Sequence, residues 1–190
     1  MKRIIVIVIA CTTFFLISSG SKHQSFNVCQ LGNPDSSLCG VILDDQHSAN
    51  KILGLKWQTV ENGEFPHQSY YSSNHLEVFT VYFHYGDGKY QWSEMEVSRD
   101  STKNIIGTLD SATFVSGNGI HLGMTSREII SILGNCNPAV IHPPNTILKY
   151  RLDDFNNSEF LKRFKMPVYC SEYEFENDRL VRFRFGFEYP

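Results

Sequence analysis

The stretch GIHLGMTSREIISILG, residues 119–134, decides how the chain is read. Thr125-Ser126-Arg127-Glu128 has the form of a capping box. The threonine hydroxyl can accept from the Glu128 amide, and the Glu128 carboxylate can reach back to the threonine amide. Ile129, Ile130, Ile132 and Leu133 then follow at spacings that put an apolar stripe along one side of a short helix. Gly134 stands where a helix leaves through a left-handed residue. An earlier stretch, GVILDDQHSANKILG at residues 40–54, repeats the pattern. Ile52-Leu53-Gly54 recurs as Ile132-Leu133-Gly134, 80 positions on, and Asp45 takes the capping place of Thr125. The spacing predicts two short helices in a degenerate tandem repeat.

Each predicted helix is followed by a hairpin pattern. In the first half, Leu76 to Tyr85 and Tyr90 to Arg99 flank the turn formers Gly86-Asp87-Gly88. In the second, Tyr169 to Glu176 and Leu180 to Tyr189 flank Asn177-Asp178. The second connection is longer, and its Thr146 to Arg151 and Glu159 to Phe164 segments predict an added strand and a short helical turn. One helix with one hairpin buries too little surface to stand alone. Two units side by side can share an antiparallel sheet with both helices on one face, an α+β layer arrangement. The expected organisation is a leader over residues 1–20, a first α/β repeat over 21–100 and a second over 101–190.

Strand residues alternate between faces, so the hairpins can be sorted into a buried set and an outward set. Phe79, Val81 and Phe83 with Met95 and Val97 should face the helices. That leaves Tyr82, His84, Tyr90 and Trp92 on the other face, fringed by Glu94 and Glu96. In the second hairpin Tyr173, Phe175, Val181, Phe183 and Phe185 read as buried. Glu172, Glu174 and Glu176 read as outward, with Arg182 and Arg184. A helix-free face bearing aromatics and arginine has the composition of a recognition surface. The candidate partner-binding residues are therefore Tyr82, His84, Tyr90, Trp92, Glu94, Arg182 and Arg184. A loop over Phe65 to Ser73 could instead cover the aromatics.

The N-terminus reads as an export signal. Lys2 and Arg3 precede an apolar run from Ile4 to Ile17, and Ser18-Ser19-Gly20 offers small residues for cleavage. The run is short for a spanning helix. Val8-Ile9-Ala10-Cys11 also fits a lipobox, though it lies early in the apolar run. A chain cleaved after Gly20 keeps 15 basic and 20 acidic residues, a net charge of −5, and is expected to be periplasmic or secreted. It also keeps Cys29, Cys39, Cys136 and Cys170, an even number in an oxidising compartment. Of the three pairings possible, Cys29–Cys39 and Cys136–Cys170 is preferred. The first closes a loop rich in turn formers, and the second ties a helix end to a later strand. With no C-x2-C pair, zinc is a poor reading.

Segment 119–134, together with YEFENDRLVRF at residues 173–183, resembles the SmpA/BamE type of outer-membrane assembly module. The tandem arrangement resembles the beta-lactamase inhibitory protein family, in which two such units grip an enzyme with one face of the sheet. That likeness implies one disulfide per unit, with a short loop closed before the first helix. It also implies a role by analogy, because folds host many functions.

Other functions are disfavoured by the residues. A net charge of −3 over the whole chain, with no Lys/Arg run, argues against nucleic-acid binding. No P-loop, G-x-G-x-x-G, H-E-x-x-H or G-x-S-x-G pattern occurs. The carboxylate pairs Asp44-Asp45 and Asp153-Asp154 read as caps and turn residues. No cofactor and no catalysis are expected. The expectation is an exported protein-binding module that inhibits or neutralises a partner enzyme, such as an immunity protein for a secreted toxin. An envelope assembly component of the BamE type is the alternative.

Overall fold

A computed structural model describes residues 28–54, 65–84, 92–100, 104–135, 139–142 and 145–188, with the side chains of 28–30 and 139–142 set aside. The expected leader with Cys11, the Gly86-Asp87-Gly88 turn, Tyr90, Cys136 and the Cys29 side chain lie outside the described residues. No helix among the described residues is long and apolar enough to cross a membrane.

The helices begin where the capping residues place them. Asp45 caps α1 (Gln46–Leu53), its carboxylate accepting from the His47 and Ser48 amides. Thr125 caps α2 (Ser126–Leu133) with both halves of the capping box formed, and the Gly134 amide closes the end on Ile130. Each such cap is worth about 1 kcal/mol. A third helix, α3 (Glu159–Phe164), starts at Ser158 and lies in the long second connection. Ahead of α1, a small hairpin pairs β2 (Ser37–Leu38) with β3 (Val41–Ile42). Its two-residue turn needs positive φ twice, supplied by Cys39 and Gly40.

The remaining strands form one nine-stranded sheet. They are β1 (Val28–Gln30), β4 (His67–Tyr71), β5 (Val78–Tyr82), β6 (Glu94–Ser98), β7 (Ile105–Thr108), β8 (Ala139–His142), β9 (Asn145–Leu152), β10 (Val168–Glu176) and β11 (Arg179–Glu188). The order is β1-β9-β10-β11-β6-β5-β4-β7, with β8 also on β9. From β9 to β4 every pair is antiparallel, and β11 meets β6 at the centre. The outer pairs β1/β9 and β7/β4 are parallel. The sheet is therefore mixed, which corrects the expectation of a purely antiparallel one. β1 and β7 are short segments lying ahead of α1 and α2, and neither carries an alternating pattern that sequence could flag. A second difference concerns Phe65 to Ser73, which offered a loop as the alternative cover for the aromatics. It contains β4, whose polar sequence HQSYY concealed a strand.

The inner face carries the core. Phe79, Val81, Met95, Val97, Tyr173, Phe175, Phe183, Phe185 and Phe187 join Ala49 and Leu53 of α1, Ile129 and Leu133 of α2 and Leu161 of α3 in one apolar cluster. Burial of this kind stabilises by about 25 cal/mol per Å² of apolar surface. Phe160 of α3 meets Tyr169 edge-on at 5.2 Å between ring centres. Val181 is not in the buried set as expected. A bulge between Glu174 and Phe175 pairs Phe175 with Leu180 and Glu174 with Arg182, so Val181 is the extra residue and Leu180 enters the core.

The outer face is uneven. β10 alternates buried and half-buried residues, and Lys149, Arg151, Arg182 and Arg184 of its neighbours are half-buried, whereas β5 is buried throughout. On the outer side of β4 to β6, Ser69, Thr80, Tyr82, Glu96 and Ser98 are all buried.

Candidate functional site

Register lines the outer-face residues of six strands into three rows. One row runs Ile147, Glu174, Arg182, Ser98, Val78, Tyr71. The next runs Lys149, Glu172, Arg184, Glu96, Thr80, Ser69, with charge alternating over its first four members. The third runs Arg151, Cys170, Gly186, Glu94, Tyr82, His67. Opposite charges on neighbouring strands support each other.

The rows carry three ion-pair clusters, around Arg182, Arg184 and Arg151. Arg182 reaches Glu96 at 2.9 Å and also holds Glu172 and Glu174. Lys149 pairs with Glu172 at 2.6 Å. Arg184 pairs with Glu94 and lies 4.4 Å from the centre of the Tyr82 ring, a cation–π contact. Arg151 pairs with Asp153 and Glu188. Six carboxylates (Glu94, Glu96, Asp153, Glu172, Glu174, Glu188) thus meet four cations (Lys149, Arg151, Arg182, Arg184), a local charge of −2. The members nearest solvent are acidic: the side chains of Glu188 and Asp153 are 52% and 53% exposed, against 28% for Arg182.

Protonation preferences follow from this packing. Burial would lower the Arg182 pKa, but Glu96, Glu174 and Glu172 raise it instead. Burial would raise Glu172, and the hydrogen bond and charge of Lys149 reverse that. Glu174 stays raised, because burial outweighs its share of Arg182.

Between Arg151 and Glu94 the third row carries only Cys170 and Gly186, so the face opens into a cleft of about 420 Å³. Its walls include Lys149, Arg151, Glu172, Arg184, Glu94 and Glu188. Gly186 has φ +156, and a Cβ there would stand 2.2 Å from the Ser93 carbonyl oxygen. Only glycine lets β11 and β6 approach this closely. The Cys170 sulfur lies 3.5 Å from both Arg151 Nη1 and Glu188 Oε2. Burial, then the Glu188 charge, pushes its thiol up to about 11.

The expected partner-binding residues separate. Arg182 lies in one of these clusters, and Glu94 and Arg184 form another. Tyr82 lies beneath Arg184, 4% exposed. His84 adjoins, its Nδ1 2.8 Å from Ser93 Oγ and its Nε2 3.6 Å from Glu94, with its ring against Phe65. Trp92 is elsewhere. It is 1% exposed, belongs to the apolar cluster and meets Phe83 edge-on at 5.6 Å. The cause is a bulge: Glu94 is the register partner of Tyr82, yet the Ser93 amide also donates to the Tyr82 carbonyl. Two residues opposite one reverse the alternation beyond, and Trp92 turns inward.

Cys39 and Cys170 are free thiols, which corrects the expected disulfides at these positions. Cys39 sits in the β2–β3 turn with its sulfur toward the Val115 amide, and Cys170 points into the cleft. Sequence reasoning also missed Lys149, Arg151 and Glu188 as members of the face. The alternation of Lys149 and Arg151 with Leu148 and Tyr150 was the available signal.

In comparisons with family models, curated proteins and solved structures, nothing matches this chain.

Proposed function

We propose that the chain is an exported protein-binding module that inhibits or neutralises a partner enzyme, such as a secreted toxin, and that it grips the partner with the outer face of β9, β10 and β11. The observation that carries the reading is the set of ion-pair clusters on that face, with its outermost carboxylates and its cleft at Cys170 and Gly186. An acid-rich rim suits a basic partner, since charge complementarity steers encounter and excludes wrong partners. The buried aromatics change the expected interface. Tyr82 supports Arg184 rather than meeting the partner, and Trp92 contributes to folding. The N-terminal sequence supports export, and the absence of a recognisable catalytic motif favours binding over chemistry.

The test is to tag the chain from Ser21 onward, recover partners from envelope and secreted fractions, and repeat with Glu174→Lys and Glu188→Lys. The expected result is one stoichiometric enzyme that loses activity on binding, recovered by the unaltered chain and not by the variants. Outer-membrane assembly proteins in its place, or recovery indifferent to both substitutions, would contradict the proposal.

A further inference from the structure

Behind the charged face, the inner side of β10 carries alternate polar groups where a core strand would ordinarily carry apolar ones. Tyr169, Ser171 and Tyr173 are buried, and their hydroxyl oxygens have no hydrogen-bond partner among the described residues. The neighbouring Tyr150 shows the contrast, its hydroxyl donating to the Gly134 carbonyl at 2.9 Å. Asp35 lies close by, 2% exposed. Its carboxylate accepts from Ser116 Oγ and from the Asn118 amide, both at 2.7 Å. Those bonds leave lone pairs on Asp35 to spare. The Asp35 charge is felt by both tyrosines, Tyr169 faces the Asp35 backbone and Tyr173 faces Ser171, yet neither hydroxyl reaches hydrogen-bond geometry.

A buried hydroxyl left unpaired is costly, and native interiors almost never tolerate three together. All three can both donate and accept, and the carboxylate can only accept. A site with several such groups and no positive charge suits a small neutral molecule able to give and take protons at once. We infer that Asp35, Tyr169, Ser171 and Tyr173 form an internal polar site that binds ordered water, linking the 31–38 segment to the strand that presents Cys170, Glu172 and Glu174. Water with two to four such partners is a permanent part of a fold rather than a passing occupant. The inference stands apart from the proposed function, since it concerns the opposite side of β10.

Tyr169→Phe and Tyr173→Phe keep the rings and remove only the hydroxyls. In thermal unfolding each should lower the Tm by about 2–6 °C. In the unaltered protein, nuclear Overhauser and rotating-frame spectra should show a long-lived water next to the ring protons of Tyr169 or Tyr173. An unchanged or raised Tm in both variants would overturn the inference, because the hydroxyls would then have no partner to lose. A lowered Tm with no long-lived water at these rings would also overturn it, because direct bonds within the protein would explain the loss.

Discussion

Single residues decide where the charge and the strain lie. Asp35 is the clearest case. Burial pushes its carboxyl up to about 6 from the ordinary 3.8, against the lowering effect of Ser116 and the Asn118 amide. The folded state therefore holds the proton more tightly than the unfolded chain. Stability from this group is fully present below about pH 4, falls between about pH 4 and 6, and is level above. A shift of about two units corresponds to about 3 kcal/mol. Asp35→Asn should remove that dependence. Urea unfolding at pH 4 and at pH 7 should show the variant gaining on the unaltered protein as pH rises, and a constant difference would contradict the assignment. Trp92 gives a second test. As a core residue, Trp92→Ala should cost about 3–5 kcal/mol in unfolding free energy, a loss that an exposed recognition residue would not produce. Its place was hidden because the extra residue Ser93 breaks the alternation just ahead of β6, and no pattern of residue types marks a bulge in advance. The network around Arg182 was half legible, since Glu172, Glu174, Arg182 and Arg184 alternate as an outward set. Their joining to Glu94 and Glu96 needed the pairing of β11 with β6, which the sequence of either strand leaves open.

At the scale of elements, local chemistry and sheet pairing contribute unequally. α1 and α2 were legible because capping side chains and apolar spacing agree at each, and α3 stands where a short helical turn was expected. Thr125→Ala should lower stability by about 1 kcal/mol in denaturant unfolding, because the hydroxyl that accepts from the Glu128 amide and donates to the Glu128 carboxylate is lost. The β10–β11 hairpin was equally legible: Asn177 and Asp178 both take positive φ, the two-residue turn that joins these strands. β4 and β7 were not, since HQSYY and IIGT hold no alternation to read and owe their pairing to neighbours far along the chain. The close approach of β11 to β6 sets a further expectation. Gly186→Ala must push the strands apart at Ser93 and should cost about 1–3 kcal/mol, seen as a lower denaturation midpoint. A midpoint equal to that of the unaltered protein would show that the strands have room to spare.

For the whole molecule, the sheet order places β6 against β11 at the centre. Glu94 and Glu96 on one meet Arg184 and Arg182 on the other, so this central pairing is also the middle of the charged face. One half of the outer face is buried, and the half on β9 to β11 holds the cleft and the outermost carboxylates. The central claim is that this half recognises a basic partner. The direct measurement is the association rate constant with the recovered partner at low and moderate salt, for the unaltered chain and for a Glu174→Gln, Glu188→Gln double variant. The account predicts association at least several-fold slower in the variant, with a weaker dependence on salt, while the melting temperature stays within a few degrees. An equal association rate and an equal salt dependence would place the binding surface elsewhere on the molecule.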